Sequence, residues 1–327
     1  MEYTAKRVSN FAERSRNRNM NFVKGRFAPS PSGRMHLGNL FSALLAWLSV
    51  RSAGGVLVLR VEDLDPARCQ PAYAWQLMED LEWLGLTWDE GGGVPAYWQS
   101  SRGQRYAAAF ETLRAKGLVY PCFCTRLQRL GEAPHGHEAS PACPCAALTE
   151  AEAAERAEHR PPGWRVRVPA RRVSFLDGCQ GLYSQDLARD CGDFPIRRWD
   201  GAWAYQLAVV VDDGEMGVTQ VVRGRDLLSS TPRQLWLYEA LGLTPPAFFH
   251  VPLLLAPDGR RLAKRDADLD MGVLRRRYTP EALLGLLARL AGQRETAAPV
   301  SAAELAGRFD WSRVPREDIV IRRELLL

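Results

Sequence analysis

The feature that most constrains the fold is the order of apolar runs between residues 21 and 118. "NFVKGRFA" (21–28) fits a short strand that feeds a stiff loop, "PSPSGRM", in which Pro29 and Pro31 fix φ and Gly33 permits φ above zero. "HLGNLFSALLAWLSVRSAGG" follows, with Leu37, Leu40, Phe41, Leu44 and Leu48 at helical spacing and a Gly-Gly stop. "VLVLRVEDLD" (56–65) is a buried strand whose end turns acidic, and "PAYAWQLMEDLEWLGL" and "RGQRYAAAFETLRAKGL" are two amphipathic helices. Strand, loop, helix, strand, helix predicts a βαβ unit with a parallel sheet. The loop carries small donors (Ser30, Ser32, His36, Asn39) where a strand gives way to a helix N-terminus, a position suited to phosphate. It is not a GxxxxGK[ST] loop.

The grammar breaks near residue 120 and returns near 196. Between lie a cysteine-rich loop, a short helix opened by Thr149 and Glu152 as a capping box, and alternating strands such as "WRVRV". The α/β pattern resumes with "WAYQLAVVVDD", "VTQVVRGRDLL", the helix "TPRQLWLYEALGL" and "HVPLLLAPDGRRLAKRD". The expectation is an α/β doubly wound parallel sheet split by an insertion. Residues 1–20 are expected to be a disordered basic tail or an upstream extension with Met20 near the true start, 21–119 the first half of the domain, 120–195 the insertion, 196–270 the second half, and 271–327 a short helical remnant. The sequence holds 46% hydrophobic and 25% charged residues in 327, as a globular chain does. No apolar run reaches the roughly 20 residues of a membrane span, and no signal peptide is evident, so a cytoplasmic monomer is expected. The net charge of +5, with clusters "ARRV" and "LRRRY", permits a nucleic-acid partner without requiring one.

Four of the seven cysteines lie close together as Cys122-Phe-Cys124 and Cys143-Pro-Cys145. Two Cys-x-Cys pairs in so short a span fit a closed tetrahedral zinc site better than a disulfide framework. His135 and His137 are reserve ligands. Cys69, Cys179 and Cys191 read as small apolar residues.

"PSPSGRMHLGN" resembles the HIGH signature of class I aminoacyl-tRNA synthetases, and "RLAKR" in the basic loop 260–266 resembles their KMSKS loop. "RFAPSPSG", "RVEDLD" and "AYQLAVVVDDGEMGVTQVVRGRDLLSSTPRQ" are similar to the glutamyl/glutaminyl branch, and the likeness covers roughly residues 22–270. Asn39 stands where the signature ends in His, and only Lys264 keeps a lysine of KMSKS, with Ala263 and Arg265 at the serine positions. The resemblance implies a Rossmann-like catalytic domain. It implies an ATP site built from Pro29, Ser30, His36, Gly38, Asn39, Arg261 and Lys264, with His36 and Lys264 acting on the phosphates. It also implies a glutamate site of Arg26, Ala28, Ser30, Glu62, Tyr205 and Arg223, in which Glu62 takes the ammonium and the arginines take the carboxylates. In related small synthetases zinc is held by CxC, a tyrosine and a later cysteine. Here Cys145 matches that cysteine, Pro141 falls at the tyrosine, and Cys143 becomes the replacement ligand.

The given sequence ends about 60 residues after the KMSKS-like loop, where tRNA-charging relatives carry anticodon-binding domains. With the basic patches and the zinc-bearing insertion, this resembles the glutamyl-queuosine tRNA(Asp) synthetases. That family activates glutamate with ATP and Mg²⁺ and passes it to queuosine in the anticodon loop of tRNA(Asp). Other readings are a truncated synthetase charging the tRNA 3′ end, a nucleotidyltransferase, and a non-catalytic RNA-binding paralogue.

Overall fold

The computed structural model describes residues 22–125, 143–260 and 269–321. Five parallel strands form the central sheet: β1 (Lys24–Phe27), β2 (Val56–Leu59), β3 (Glu90–Gly91), β9 (Gln220–Gly224) and β10 (Ala247–Val251), in the order β10-β9-β1-β2-β3. The first three strands run outward from β1 in one direction and the last two in the other, so the order reverses between β1 and β9. Ligands of doubly wound sheets bind beyond the carboxyl ends of the strands at such a reversal.

Sequence periodicity explains the two-sided burial. α1 (Leu37–Ser52) and α2 (Pro71–Trp83) pack one face of the sheet together with α7 (Met271–Arg277) and α8 (Pro280–Leu290). α3 (Gly103–Ala115), α5 (Tyr205–Glu215) and α6 (Thr231–Leu241) pack the other. Adjacent residues of β9 serve both cores, Val221 on the α5 side and Val222 on the α1 side, as strand alternation demands. α1 lies so close to β1 that a Cβ at Gly25 would fall 2.4 Å from Val50 Cγ2. No helix among the described residues is long and apolar enough to cross a membrane.

The insertion builds its own antiparallel sheet, β4 (Val119–Cys122), β5 (Gly163–Val166) and β8 (Phe194–Arg197), preceded on its β5 side by α4 (Glu150–His159). Thr149 caps α4 with Glu152 in the expected reciprocal box. The hairpin β6 (Arg172–Asp177) and β7 (Gly181–Asp186) was not separately foreseen. It leaves the insertion sheet and docks on β10, with Gly178 N–H donating to Phe248 O at 2.8 Å. The tail is not purely helical either: beyond α9 (Ala302–Ala306), β12 (Ile319–Val320) pairs in parallel with β11 (Leu254–Leu255).

Candidate active site

A cleft of about 900 Å³ opens at the carboxyl edge of the sheet and gathers Arg26, Ala28, Pro29, Ser30, His36, Gly38, Asn39, Glu62, Tyr205 and Arg223. Every sequence-predicted ATP or glutamate residue outside the 261–268 loop therefore lines one space. Arg261 and Lys264 lie outside the described residues, as do His135, His137 and Pro141. Both flanks of that loop are placed: Asp258 and Arg260 close a turn after β11, and Asp270 forms an isolated bridge with His36, reinforced by Met271 N–H to Met35 O at 2.9 Å. Asp270 and Met271, which follow that loop in sequence, thus lie beside the His36 loop.

At the start of α1, His36 is the N-cap. Its Nδ1 accepts from Gly38 N–H at 3.1 Å, and its own N–H donates to Asn39 Oδ1 at 3.1 Å. These two bonds form a capping box in which Asn39 takes the place usually held by Glu or Gln. With Nδ1 an acceptor, the neutral ring carries its proton on Nε2, a donor suited to a phosphate oxygen. Gly38 is needed here because a Cβ would sit 3.1 Å from the imidazole. The asparagine that departs from the HIGH pattern is therefore a structural cap for the histidine beside it.

Buried ion pairs organise the glutamate side. Arg26 on β1 donates through Nη1 to Val222 O at 3.1 Å, and its Nε lies 3.6 Å from Asp213 Oδ1. Arg60, fully buried just past β2, holds Asp213 Oδ1 at 2.7 Å through Nη1 and Glu62 Oε1 at 3.1 Å through Nη2. Burial opposes the charge on Arg60, but Asp213, Asp212 and Glu62 outweigh it and hold its pKa above the ordinary value. Burial raises the Glu62 carboxyl, with Arg60 and Arg26 opposing the rise. Pairing of Arg60 with Glu62, one of the structural roles an arginine here could take, thus coexists with a place in the cleft wall.

Asp212 and Asp213 were not foreseen as site residues. They end the "AVVVDD" run, which folds as helix α5, and their carboxylates reach back to Arg60, Arg102, Gln99 and Tyr106. Two adjacent acids closing an apolar stretch were the available signal, since such acids are buried only when paired.

Arg223 on β9 is also buried, and its guanidinium is nearly saturated. Nε donates to His250 Nε2 at 2.9 Å, while Nη2 donates to Gln234 Oε1 at 2.8 Å and Thr231 Oγ1 at 2.9 Å. Nη1 alone has no hydrogen-bond partner among the described residues. A buried cationic donor without a partner costs about 1–3 kcal/mol or more, so this nitrogen has the chemistry to accept an anion as a partner.

Cys122, Cys124, Cys143 and Cys145 form the predicted cluster, their sulfurs all within 4.8 Å of one another. Sγ–Sγ separations of 3.5 Å (122–143) and 3.7 Å (124–143 and 124–145) are far too long for disulfides. They match the edge of about 3.8 Å expected for four sulfurs about 2.3 Å from a central ion. Phe123 N–H donates to Cys145 Sγ at 3.3 Å, an outer contact common around ligating thiolates. The donor set and spacing fit one tetrahedral metal ion, with Cys143 as the remaining ligand without recourse to a histidine.

The class I tRNA synthetase (E and Q) catalytic-domain family matches residues 22–326. The chain belongs to this family. A Glutamyl-Q tRNA(Asp) synthetase of Nitratidesulfovibrio vulgaris is 47% identical to it, over 93% of this chain and 97% of the relative. Another from Symbiobacterium thermophilum is 48% identical over 92% and 97%. Among solved structures, a glutamate tRNA ligase from Elizabethkingia meningosepticum in complex with its amino acid aligns at TM-score 0.79 and 29% identity. That alignment covers 93% of this synthetase and 68% of the ligase. The class I parallel sheet read from the sequence is thereby established, with a four-cysteine cluster in its insertion.

Proposed function

We propose that this chain activates L-glutamate with ATP, independently of tRNA, and transfers the glutamyl group to queuosine in the anticodon loop of tRNA(Asp). The observation that carries the reading is 47–48% identity, across 92–93% of the chain, to two proteins named for glutamyl-Q tRNA(Asp) synthesis. The cleft supports the first half of it, since Glu62, Arg26 and Arg223 share its wall, an acid and two arginines suited to a zwitterion with a second carboxylate.

In the first step the α-carboxylate oxygen of glutamate attacks the α-phosphorus of ATP, the Pα–O bond to pyrophosphate breaks, and glutamyl-adenylate forms. Glu62, with Oε1 tied to Arg60, offers its remaining oxygen to the ammonium. Arg26 and the unpartnered Nη1 of Arg223 take the carboxylates, with Tyr205, Ala28 and Ser30 shaping the pocket. His36 Nε2–H and the N-terminus of α1 hold phosphate beside Pro29, Ser30, Gly38 and Asn39. Lys264 and Arg261 offset charge on the departing pyrophosphate. These contributions are positioning and electrostatics, so no covalent enzyme intermediate is required. Mg²⁺, arriving with ATP, shields the phosphate charge. In the second step a hydroxyl of the queuosine cyclopentenediol attacks the acyl carbon, AMP leaves, and the hydroxyl proton is released.

In this reading catalysis falls to 21–119 and 196–270, and Zn²⁺ held by Cys122, Cys124, Cys143 and Cys145 would brace the 120–195 insertion. The enzyme acts as a cytoplasmic monomer. The test is transfer of labelled glutamate to bulk tRNA from cells with and without queuosine. Label confined to queuosine-containing tRNA and surviving removal of the 3′ adenosine is expected. Label on both pools, lost with the 3′ end, would instead support a tRNA-charging enzyme, the second reading favoured by the likeness to a glutamate tRNA ligase.

A further inference from the structure

Arg223 is held by a buried histidine that none of the mechanism above uses. His250 lies directly across from Arg223 in the parallel β9–β10 register and is completely buried. Its Nε2 accepts from Arg223 Nε at 2.9 Å and lies 3.2 Å from Thr231 Oγ1. Its Nδ1 is 2.5 Å from Asp177 Oδ2. Asp177 in turn is fixed by three backbone donors on Oδ1: Gln180 N–H at 2.8 Å, Cys179 N–H at 3.0 Å and His250 N–H at 3.1 Å. Its carboxylate therefore cannot turn away. Phe248 lies parallel to the imidazole at 6.1 Å between centroids, and the Arg223 guanidinium sits over that same ring at 5.2 Å.

The chemistry admits one proton arrangement. Arg223 Nε–H is an obligate donor, so the nitrogen it meets must be a lone pair. His250 must then be neutral with its proton on Nδ1, which is where the Asp177 carboxylate accepts it. We propose that Asp177 and His250 are positioning residues: Asp177 fixes the tautomer of His250, and His250 fixes the rotation of the Arg223 guanidinium in the cleft wall, leaving Nη1 as a pre-oriented donor for a substrate carboxylate. The relay runs from the β6–β7 hairpin through β10 to β9, so the hairpin contributes to the site although no residue of it enters the cleft wall. It extends the glutamate-activation reading and rests on it.

The substitution Asp177→Asn separates this role from simple packing. Asn keeps an Oδ1 for the three backbone donors but presents an NH₂ to Nδ1. The imidazole proton must move to Nε2, where it confronts Arg223 Nε–H, the wrong-tautomer outcome known for an Asp→Asn change beside a catalytic histidine. In glutamate-dependent ATP–pyrophosphate exchange, Asp177→Asn and His250→Leu should raise the KM for glutamate about tenfold to a hundredfold, with the KM for ATP within about twofold. His250→Gln, whose Oε1 can occupy the Nε2 position and accept from Arg223, should recover a large part of the loss.

An independent reading comes from the unmutated chain. It contains five histidines, so ¹⁵N-resolved NMR can assign the His250 ring. A neutral Nδ1–H form at pH 7 is expected. Exchange activity combined with an Nε2–H or imidazolium form would overturn the relay alone, as would variants that fold and show an unchanged KM for glutamate, or equal losses for both substrates. Absence of glutamate-dependent exchange in the unmutated chain would overturn the activation reading and the assigned role together, whatever the tautomer.

Discussion

Asp213→Asn should damage both stability and glutamate binding. The carboxylate lies 2.7 Å from Arg60 Nη1 and 3.6 Å from Arg26 Nε, and all three side chains are at most 5% exposed. Neutralising it removes the nearest countercharge of two buried cations. Breaking a buried pair costs about 3–5 kcal/mol; retention of a neutral hydrogen bond by Asn and the nearby Asp212 carboxylate place the expected loss at about 3 kcal/mol. With a urea m-value of about 3 kcal/mol/M, the midpoint followed by tryptophan fluorescence should fall by about 1 M. The site should respond as well. Arg60 would draw more strongly on Glu62, its other close acid, leaving that carboxylate a poorer partner for an ammonium. The KM for glutamate in pyrophosphate exchange should rise about tenfold, with a much smaller change for ATP, since the affected hydrogen bonds are to charged groups. A midpoint within about 0.3 M of the unmutated chain would refute the assignment of Asp213 as the main countercharge, because a loss near 1 kcal/mol is what a surface pair gives. Lower stability with an unchanged KM would refute the link from Asp213 through Arg60 to Glu62.

Glu62→Gln should cut kcat/KM for glutamate by about a hundredfold or more while leaving the KM for ATP near its original value, as loss of a charged partner predicts. Because burial raises the Glu62 pKa, the KM for glutamate should climb as pH falls toward that raised value, and the climb should be absent in Glu62→Gln. Burial also lowers His250 to about 4. Its folded-state pKa lies below the unfolded value, so its stability contribution is full above about pH 6.5 and is lost as pH falls toward 4. The lost contribution is about 3 kcal/mol, read from unfolding midpoints across that window and reduced in His250→Gln. Purified chain should carry one zinc per molecule by elemental analysis, and Cys145→Ser should lose it. The same change should weaken transfer to tRNA more than glutamate-dependent pyrophosphate exchange, since Cys145 stands outside the cleft wall although Cys122 and Cys124 lie in it.

What the sequence revealed and what it hid divide along a physical line. Features encoded by neighbours in the chain were legible. The helix of 37–52 follows from apolar spacing and its Gly-Gly stop, and the capping box of Thr149 and Glu152 spans only four residues. The two Cys-x-Cys pairs were readable because a closed tetrahedral metal site takes four ligands and the span offered four thiolates. The relations that tune the glutamate side were not local. Arg60 meets Asp213 across 153 positions, and His250 meets Asp177 across 73. No periodicity marks such a pair, because each partner alone resembles a solvent-facing charge. The hairpin went unread for the same reason: its alternating pattern specifies a β-ribbon but not the surface it covers, and only docking on β10 brings Asp177 to His250. A buried charge is tolerated only if something distant neutralises it. An acid or arginine inside an otherwise apolar run therefore carries information about a long-range partner even when the partner cannot be named. "AVVVDD" and "VLVLRVED" both have that form, and they meet in the fold.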